Sequence, residues 1–229
     1  MKSTGVMTMR TFITSAAVAA LVASGAPAAA QSLPAPASWK WVTDAPARHQ
    51  TALRPPEDAW LFGVMAPGWH ITTRPAAVLY EPSYVGTGRF VLEAETFLFP
   101  GTSDSGLGLL VGGTNLEGPA ASYTAFLIRR DGRVSVERRA GGRTERLVDW
   151  AAASGAVAGK PDTSVRNLLR LEVEAGVARL LVNGTVAVEV PRPAAEFRGI
   201  VGLRIGADVD VHVSSLDLTL KLAEPRPTR

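Results

Sequence analysis

Residues 167–191 constrain the fold more than any other part of this 229-residue chain. Within 169–173, Leu, Leu and Val alternate with charged residues, a period of two that is typical of a β-strand with one apolar face. The dipeptide at 175–176 can form a tight turn. Asn183 and Gly184 are a stronger turn signal, because both residues tolerate a positive φ. The stretch therefore predicts three consecutive antiparallel strands.

Two turn geometries at Asn183 and Gly184 are compatible with the sequence. A two-residue turn pairs Val182 with Thr185 and places the valines of the third strand on the face opposite the leucines. A three-residue turn with Gly184 in a bulge pairs Leu181 with Thr185 and places all the aliphatic residues on one face. Each buried Leu or Val contributes roughly 1.5–3 kcal/mol, so we expect the bulged turn.

The first 30 residues have the pattern of a secretory leader. Lys2 and Arg10 supply a positive start, and residues 12–22 are mostly Ala and aliphatic side chains, a run too short to span a bilayer. Three consecutive alanines that end at Ala30 supply the small-residue pattern of a signal-peptide cleavage site. We expect a signal peptide over 1–30 and a periplasmic or secreted protein.

The charge balance argues against a nucleic-acid partner. Loss of the leader leaves 22 basic residues against 21 acidic ones, with no block of Lys or Arg. The chain has no cysteine, so the exported protein must be stabilised by its core without disulfides. No stretch after the leader is apolar and long enough to predict insertion into a membrane.

Alternation and turn signals predict further strands along the chain. They lie at 60–64, 68–72, 77–80, 89–99, 106–112, 122–129, 133–138, 144–150, 199–205 and 209–221. The glycine-rich strand at 106–112 suits a tightly packed central position. The Ala- and Gly-rich residues 151–163 are expected to form a loop, with a short helix over 149–154 as the alternative.

The composition divides the chain into segments. Residues 31–56 are rich in Ala and Pro and are expected to form an extended N-terminal arm. Trp39 and Trp41 are expected to pack on the domain, with a free ligand-stacking pair as the alternative. Residues 57–222 are expected to form one β-sandwich, and the Pro- and Arg-rich tail at 223–229 is expected to be disordered. About twelve short strands without a long amphipathic helix predict an all-β antiparallel sandwich or barrel.

Three segments resemble the concanavalin A-like lectin/glucanase superfamily. They are AFLIRRDGRVSVERR at 125–139, NLLRLEVEAGVARLLVNGTVAVEVP at 167–191 and GIVGLRIGADVDVHVSSLDL at 199–218. The resemblance covers about 88–218 and is closest to the laminin-G-like domains of exported bacterial proteins. It implies a jelly-roll of two stacked antiparallel sheets, often with glycan bound on the concave sheet or at its rim. Some members hydrolyse glycans, and others only bind them.

Paired carboxylates are the candidates for catalysis, since a glycosidase needs two of them roughly 5–10 Å apart. Three pairs two residues apart meet that spacing: Glu93 with Glu95, Glu172 with Glu174, and Asp208 with Asp210. The same pattern is typical of the solvent face of a sheet. The Glu-x-Asp-x-x-Glu motif of the superfamily's retaining hydrolases is absent from the sequence, so we assign no catalytic residue and favour a protein that is not an enzyme.

Asp208, Asp210 and His212 form the most polar run on one strand. Alternation would project them together, where they could hold a divalent metal, but calcium requires more oxygen ligands and His is a poor one. We expect a solvated face opposite the core residues Val209 and Val211. No metal or cofactor is predicted, and no motif supports a structural calcium.

Aromatic side chains are the candidates for ligand binding, because sugar rings stack on them. Tyr84 lies in a predicted Pro-Ser-Tyr-Val-Gly loop, and Trp150 ends a predicted strand before a loop. With Trp69, they are the predicted ligand-binding residues. The resulting hypothesis is an exported glycan-binding module. The alternatives are a glycoside hydrolase or lyase that uses carboxylates on the concave sheet, and an envelope module that binds another protein.

Overall fold

A computed structural model describes residues 32–53 and 59–222 of the chain. The predicted leader at 1–30 and the predicted tail at 223–229 lie outside the described residues. The described residues form fifteen β-strands and one short 3-10 helix at Ala194–Phe197. Within the same ranges, no helix has the length and apolar character needed to cross a membrane.

Seven strands form one antiparallel sheet. They are β1 (Lys40–Thr43), β5 (Ala77–Gly86), β7 (Leu107–Thr114), β8 (Ser122–Ile128), β9 (Arg133–Ala140), β10 (Arg143–Ala152) and β14 (Gly199–Ile205). Their spatial order is β1-β5-β14-β7-β8-β9-β10. The glycine-rich strand β7 therefore takes the central position that its composition predicted.

Eight strands form the second sheet. They are β2 (Arg48–Gln50), β3 (Ala59–Val64), β4 (Trp69–Thr72), β6 (Phe90–Leu98), β11 (Val165–Val173), β12 (Ala178–Val182), β13 (Thr185–Val190) and β15 (Asp210–Leu220). Their spatial order is β13-β12-β11-β6-β15-β4-β3-β2, and only β2 and β3 pair in parallel. The two sheets stack as the predicted jelly-roll sandwich.

The core lies between the two sheets and follows the alternation in the sequence. Phe90 and Leu92 on β6 and Leu169 and Leu171 on β11 are fully buried there. The charged residues between them point away from the core, as the period of two requires. Gly108 shows how tightly β7 is packed, because an added Cβ would lie 2.0 Å from the carbonyl oxygen of Phe126.

The outer face of the seven-stranded sheet carries a second buried cluster. Tyr80, Leu110, Tyr123 and Leu127 belong to it, whereas the neighbouring residues of their strands point into the main core. Leu116, from the connection between β7 and β8, packs on the same face. This face is therefore covered at its centre and is not a plain solvated surface.

The turn between β12 and β13 corrects the expected register. Val182 pairs with Thr185, so the turn has two residues, and the predicted bulge at Gly184 is wrong. Asn183 and Gly184 have φ values of 50° and 82°. Positive φ at both central residues belongs to the turn whose twist matches that of the flanking strands, which is why it is favoured over the bulged turn.

A bulge does occur in this hairpin, but inside β13. Leu181 pairs with Val186 and Leu180 with Val188, so one extra residue of β13 is inserted between these two pairs. The insertion returns the end of the strand to the core side. Val190 is accordingly only 4% exposed, whereas Val186 is 46% exposed. The aliphatic residues of β13 are thus divided between the two faces instead of sharing one.

Two local predictions are also wrong. The helix considered over 149–154 does not form, because β10 continues to Ala152 and pairs with β9. Tyr84 lies in β5 and not in a loop. Pro82 is tolerated in β5 because β1 pairs with β5 only as far as Tyr80, and the pairing of β5 with β14 is irregular across residues 81–84.

The segment predicted as an arm contributes to both sheets. It contains β1 and β2, which pair with β5 and β3 at the sheet edges. Upstream of them, the Leu33 amide donates to the Thr51 carbonyl and the Val64 amide donates to the Pro34 carbonyl. Trp39 is buried, so its expected packing on the domain is confirmed.

The corrected register makes a prediction about stability. Val190→Ala should lower the free energy of unfolding by about 2 kcal/mol, because it removes buried methyl groups. Val186→Ala, the matched change on the same strand, should alter it by less than about 0.5 kcal/mol. Chemical denaturation of the two variants measures both values. Equal losses would instead support the register with a bulge at Gly184.

Candidate functional site

The tryptophan cleft lies at one open side of the sandwich, where the edge strand β1 faces β2 and β3 of the other sheet. It is an open cavity of about 590 Å³. Its lining residues are Trp39, Lys40, Trp41, Val42, Thr43, Ala47, Trp60 and Glu117. Alternation along β1 directs Trp41 toward the space between the sheets and its neighbours toward the outer face.

Trp41 is the half-buried aromatic surface of this cleft. Its ring meets Trp60 and Phe62 edge-on, with centroids 5.6 Å and 6.0 Å away. The His49 ring lies 4.7 Å away at a shallow angle of 32°. The edge-to-face contacts with Trp60 and Phe62 are favourable and hold the Trp41 indole in one orientation. The ring is therefore fixed on the side of the core and partly open on the side of the cleft.

Trp39 connects the cleft to two of the predicted ligand-binding residues. Its ring centroid lies 4.7 Å from that of Trp69 and 6.4 Å from that of Tyr84. The fold thus brings Trp69 and Tyr84 into one aromatic cluster. Neither of them lines the tryptophan cleft, and both contact Trp39, which does.

Trp150 lies apart from this cluster, on β10 at the opposite edge of the seven-stranded sheet. The Arg129 guanidinium carbon lies 5.0 Å from the centroid of its ring. The ring also packs closely over Gly106, where an added Cβ would come within 2.6 Å of it. The three predicted ligand-binding residues therefore do not form one site.

Glu117 supplies the polar side of the cleft. The Lys40 ammonium donates to its Oε1 at 2.6 Å, and the Tyr80 hydroxyl donates to the same oxygen at 2.9 Å. The hydrogen bonds from Lys40 and Tyr80 lower the pKa of Glu117 below its ordinary value. Burial, followed by the bond to this carboxylate, raises the pKa of Tyr80. Glu117 is thus an ionised acceptor beside a cationic donor at neutral pH.

Two more cavities meet at Glu117. One, of about 540 Å³, extends past Tyr80 and Pro82 toward Ile200. The other, of about 210 Å³, lies over the second buried cluster and contains Arg139. The connection that carries Glu117 therefore separates three concave regions along β1 and the adjoining outer face.

The outer face beside these cavities is already ion-paired. The Arg204 guanidinium donates to both carboxylate oxygens of Asp44, with Nη1 and Oδ1 2.9 Å apart. The Arg139 guanidinium lies 3.6 Å from the same carboxylate. The two arginines share one carboxylate, so both guanidinium groups are held by Asp44 and one positive charge remains in excess.

The four glutamates considered for catalysis lie on the outer face of the eight-stranded sheet, where each has a basic partner. The pairs are Glu93 and Glu172 with Arg170, Glu95 with Arg166, and Glu174 with Lys221. None of the four lines the cavities described above. The interpretation of Glu-x-Glu as a solvent-facing pattern is confirmed for these two pairs, whereas Asp208 and Asp210, the third candidate pair, both line a separate cavity.

The polar run at the start of β15 does not form the considered metal site. In the ranges 32–53 and 59–222, no group of three or more His, Asp or Glu side chains is placed to hold a metal. Asp208 precedes the strand with a φ of 54°, so it is outside the strand alternation. Asp210 instead contacts His70 of the neighbouring strand, with Nε2 and Oδ1 3.0 Å apart.

Solved structures with this architecture include lectin-like domains. A carbohydrate-binding module, CBM66, from Bacillus subtilis matches 81% of this chain and 96% of its own, with a TM-score of 0.55 and 10% identity. The carbohydrate recognition domain of Emp47p matches 85% of this chain and 97% of its own, with a TM-score of 0.50 and 13% identity.

A functionally unknown protein from Saccharomyces cerevisiae covers 81% of this chain and 98% of its own, with a TM-score of 0.50 and 15% identity. No family model and no curated protein matches the sequence. At these identities the similarity concerns the fold. It is the two-sheet jelly-roll that the family resemblance implied.

The sequence interpretation names Trp41 as a ligand-stacking residue only as the alternative to packing, and it misses Lys40 and Glu117. Glu117 lies in a turn-rich connection and is 77 positions from Lys40. The spacing of Trp39 and Trp41 was the available signal, because residues two apart in an extended chain share a face.

The geometry around Glu117 makes a prediction about its ionisation. Lys40→Met should raise the pKa of Glu117 most, because Lys40 supplies the largest stabilisation of the carboxylate, and Tyr80→Phe should raise it less. The side-chain carboxyl carbon shift of Glu117, followed by NMR against pH, measures each change. An unchanged pKa in both variants would contradict the hydrogen-bonded arrangement.

Proposed function

We propose that this domain binds a carbohydrate in the tryptophan cleft. The observation that carries the proposal is the ring of Trp41, held in place by edge-on aromatic contacts and partly open toward a cavity of about 590 Å³. The faces of sugar rings are lined by C–H groups and stack on indole rings, which combine a large apolar surface with a fixed orientation. Trp41 is thus the stacking platform.

Lys40 and Glu117 supply the polar contacts that such a ligand needs. Sugar hydroxyls both donate and accept hydrogen bonds, so an ammonium and a carboxylate side by side match them. More than half of each of these two side chains is exposed. A ligand can therefore insert between them at little cost, because an exposed ion pair stabilises a protein by no more than about 1 kcal/mol.

The fold likeness supports the same ligand class. Two of the solved structures that this chain resembles are named as a carbohydrate-binding module and a carbohydrate recognition domain. The four glutamates considered for hydrolysis are each ion-paired on the outer face of the eight-stranded sheet. We therefore propose binding without hydrolysis.

Binding can be tested with an array of plant and bacterial glycans, followed by calorimetry with the glycans that bind. Trp41→Leu should weaken binding by at least about tenfold, a loss of about 1.4 kcal/mol, because the stacking surface is removed. Lys40→Met, which leaves the aromatic cluster intact, should weaken it as well.

Trp150→Leu is the matched control, since it removes a half-buried tryptophan far from the cleft. Thermal unfolding of every variant shows whether a loss of binding follows from a loss of fold. Binding lost in Trp150→Leu but kept in the folded Trp41 and Lys40 variants would move the site to β10. A folded protein that binds no glycan on the array would rule out the proposed function.

We further propose that the protein is exported to the periplasm or outside the cell. The support is the leader pattern of residues 1–30. Expressed from its own start in a bacterial host, the mature protein should leave the cytoplasm and begin at Gln31. Fractionation with N-terminal sequencing measures this. A full-length cytoplasmic product would contradict it.

A further inference from the structure

A further cavity, the end cavity, lies among the loops at one end of the sandwich. Its volume is about 620 Å³. Its lining residues are Leu53, Thr72, Arg74, Pro100, Gly101, Thr102, Ser103, Asp208 and Asp210. It shares no lining residue with the tryptophan cleft, and none of its lining side chains is aromatic. Recognition in it must therefore depend on hydrogen bonds and charge.

Asp208 presents a free carboxylate to this cavity. Its backbone is anchored, because its amide donates to the Arg74 carbonyl at 3.3 Å. The carbonyl of the preceding residue, Ala207, accepts a hydrogen bond from the Ser103 hydroxyl at 2.7 Å. Across the described part of the chain, the Asp208 carboxylate has no hydrogen bond or ion pair of its own. It is a positioned acceptor without a partner.

Asp210 presents a second carboxylate, which is held by two neighbours. Its Oδ1 accepts a hydrogen bond from the Thr72 hydroxyl at 3.1 Å and lies 3.0 Å from the His70 Nε2. His70 is only 6% exposed and is fixed by its packing against Phe99. Both contacts use Oδ1, which leaves Oδ2 for a ligand. The side chain is 43% exposed, so a ligand can reach it.

Arg74 adds a positive charge to the same lining. Its Nε is buried and has no hydrogen-bond partner. No ion pair joins its guanidinium to Asp208, to Asp210 or to any other acid in the ranges that the structure describes. A buried donor without a partner is unfavourable, so a ligand group that accepts hydrogen bonds from the Arg74 guanidinium would be stabilised there.

We propose that the end cavity is a second carbohydrate site, which binds one neutral sugar residue by its hydroxyl groups. The guanidinium disfavours a simple cation, and the two carboxylates disfavour a simple anion. Neighbouring hydroxyls on a sugar ring can hydrogen-bond with both kinds of charged group, because they donate to Asp208 and Asp210 and accept from Arg74. This site does not depend on binding in the tryptophan cleft.

The two sites should take different ligands, because the tryptophan cleft has an aromatic platform and the lining of the end cavity has none. A face-stacking cleft suits residues within a chain, whereas a lining of hydrogen-bonding groups suits a single residue with free hydroxyls. The source of that residue is either a free monosaccharide or the end of a polysaccharide. Titrations with each of the two separate these sources.

The test follows backbone amide NMR signals of the full chain during titration with a panel of neutral hexoses. A hexose that binds should shift the amides of Thr72, Gly101, Thr102 and Ser103 at millimolar concentrations. Asp208→Asn and Arg74→Gln should each weaken this binding by about tenfold or more. Trp41→Leu should leave it unchanged, which separates this site from the tryptophan cleft.

Asp217→Asn is the matched control, because Asp217 is an exposed acid of the same strand, β15, and does not line the cavity. It should leave the affinity unchanged. Calcium chloride, inorganic phosphate and glycine are titrated in parallel. Shifts at these amides with calcium alone, phosphate alone or glycine alone would replace the proposal with a cation, anion or zwitterion site. No shift with any of the hexoses would overturn it.

Discussion

Burial of two aliphatic faces against each other is the interaction on which the rest of this structure depends. Strands β6 and β11 contribute fully buried residues at alternate positions, and the seven-stranded sheet supplies the facing layer. With about 25 cal/mol gained for each Å² of apolar surface removed from water, this layer dominates the stability of a chain that has no disulfide. The packing of this layer fixes the positions of the strands, and with them the edges and end loops of the sandwich.

The two sheets do not close into a barrel, so their edges need a different cover. Between β1 and β3, aromatic rings provide it: Trp39 and Trp60 are buried, and Trp41 is only half-buried. Trp41 thus both completes the core at this edge and exposes part of an apolar ring to solvent. The requirement for edge packing and the proposed platform for a sugar have the same physical origin.

The tryptophan cleft and the end cavity, which are proposed to bind sugars, differ in the chemistry of their linings. The first combines an indole face with the Lys40–Glu117 pair at a sheet edge. The second combines Arg74 with two carboxylates among loops, and its lining contains no aromatic side chain. Loops and edges are free to carry such groups because the sandwich core does not need them.

Much of the fold could be predicted from the sequence, because a period of two shows which face of a strand is buried. The strands from β3 onward, apart from the second half of β5, and the solvent face of the Glu-x-Glu pairs followed from local patterns, whereas the jelly-roll class followed from the family resemblance. Only the tertiary structure decided what depends on distant residues: Glu117 meets Lys40 across 77 positions, and Asp210 meets Thr72 across 138. The bulge in β13 was also decided there, because the twist of the hairpin and the adjoining core together determine its place.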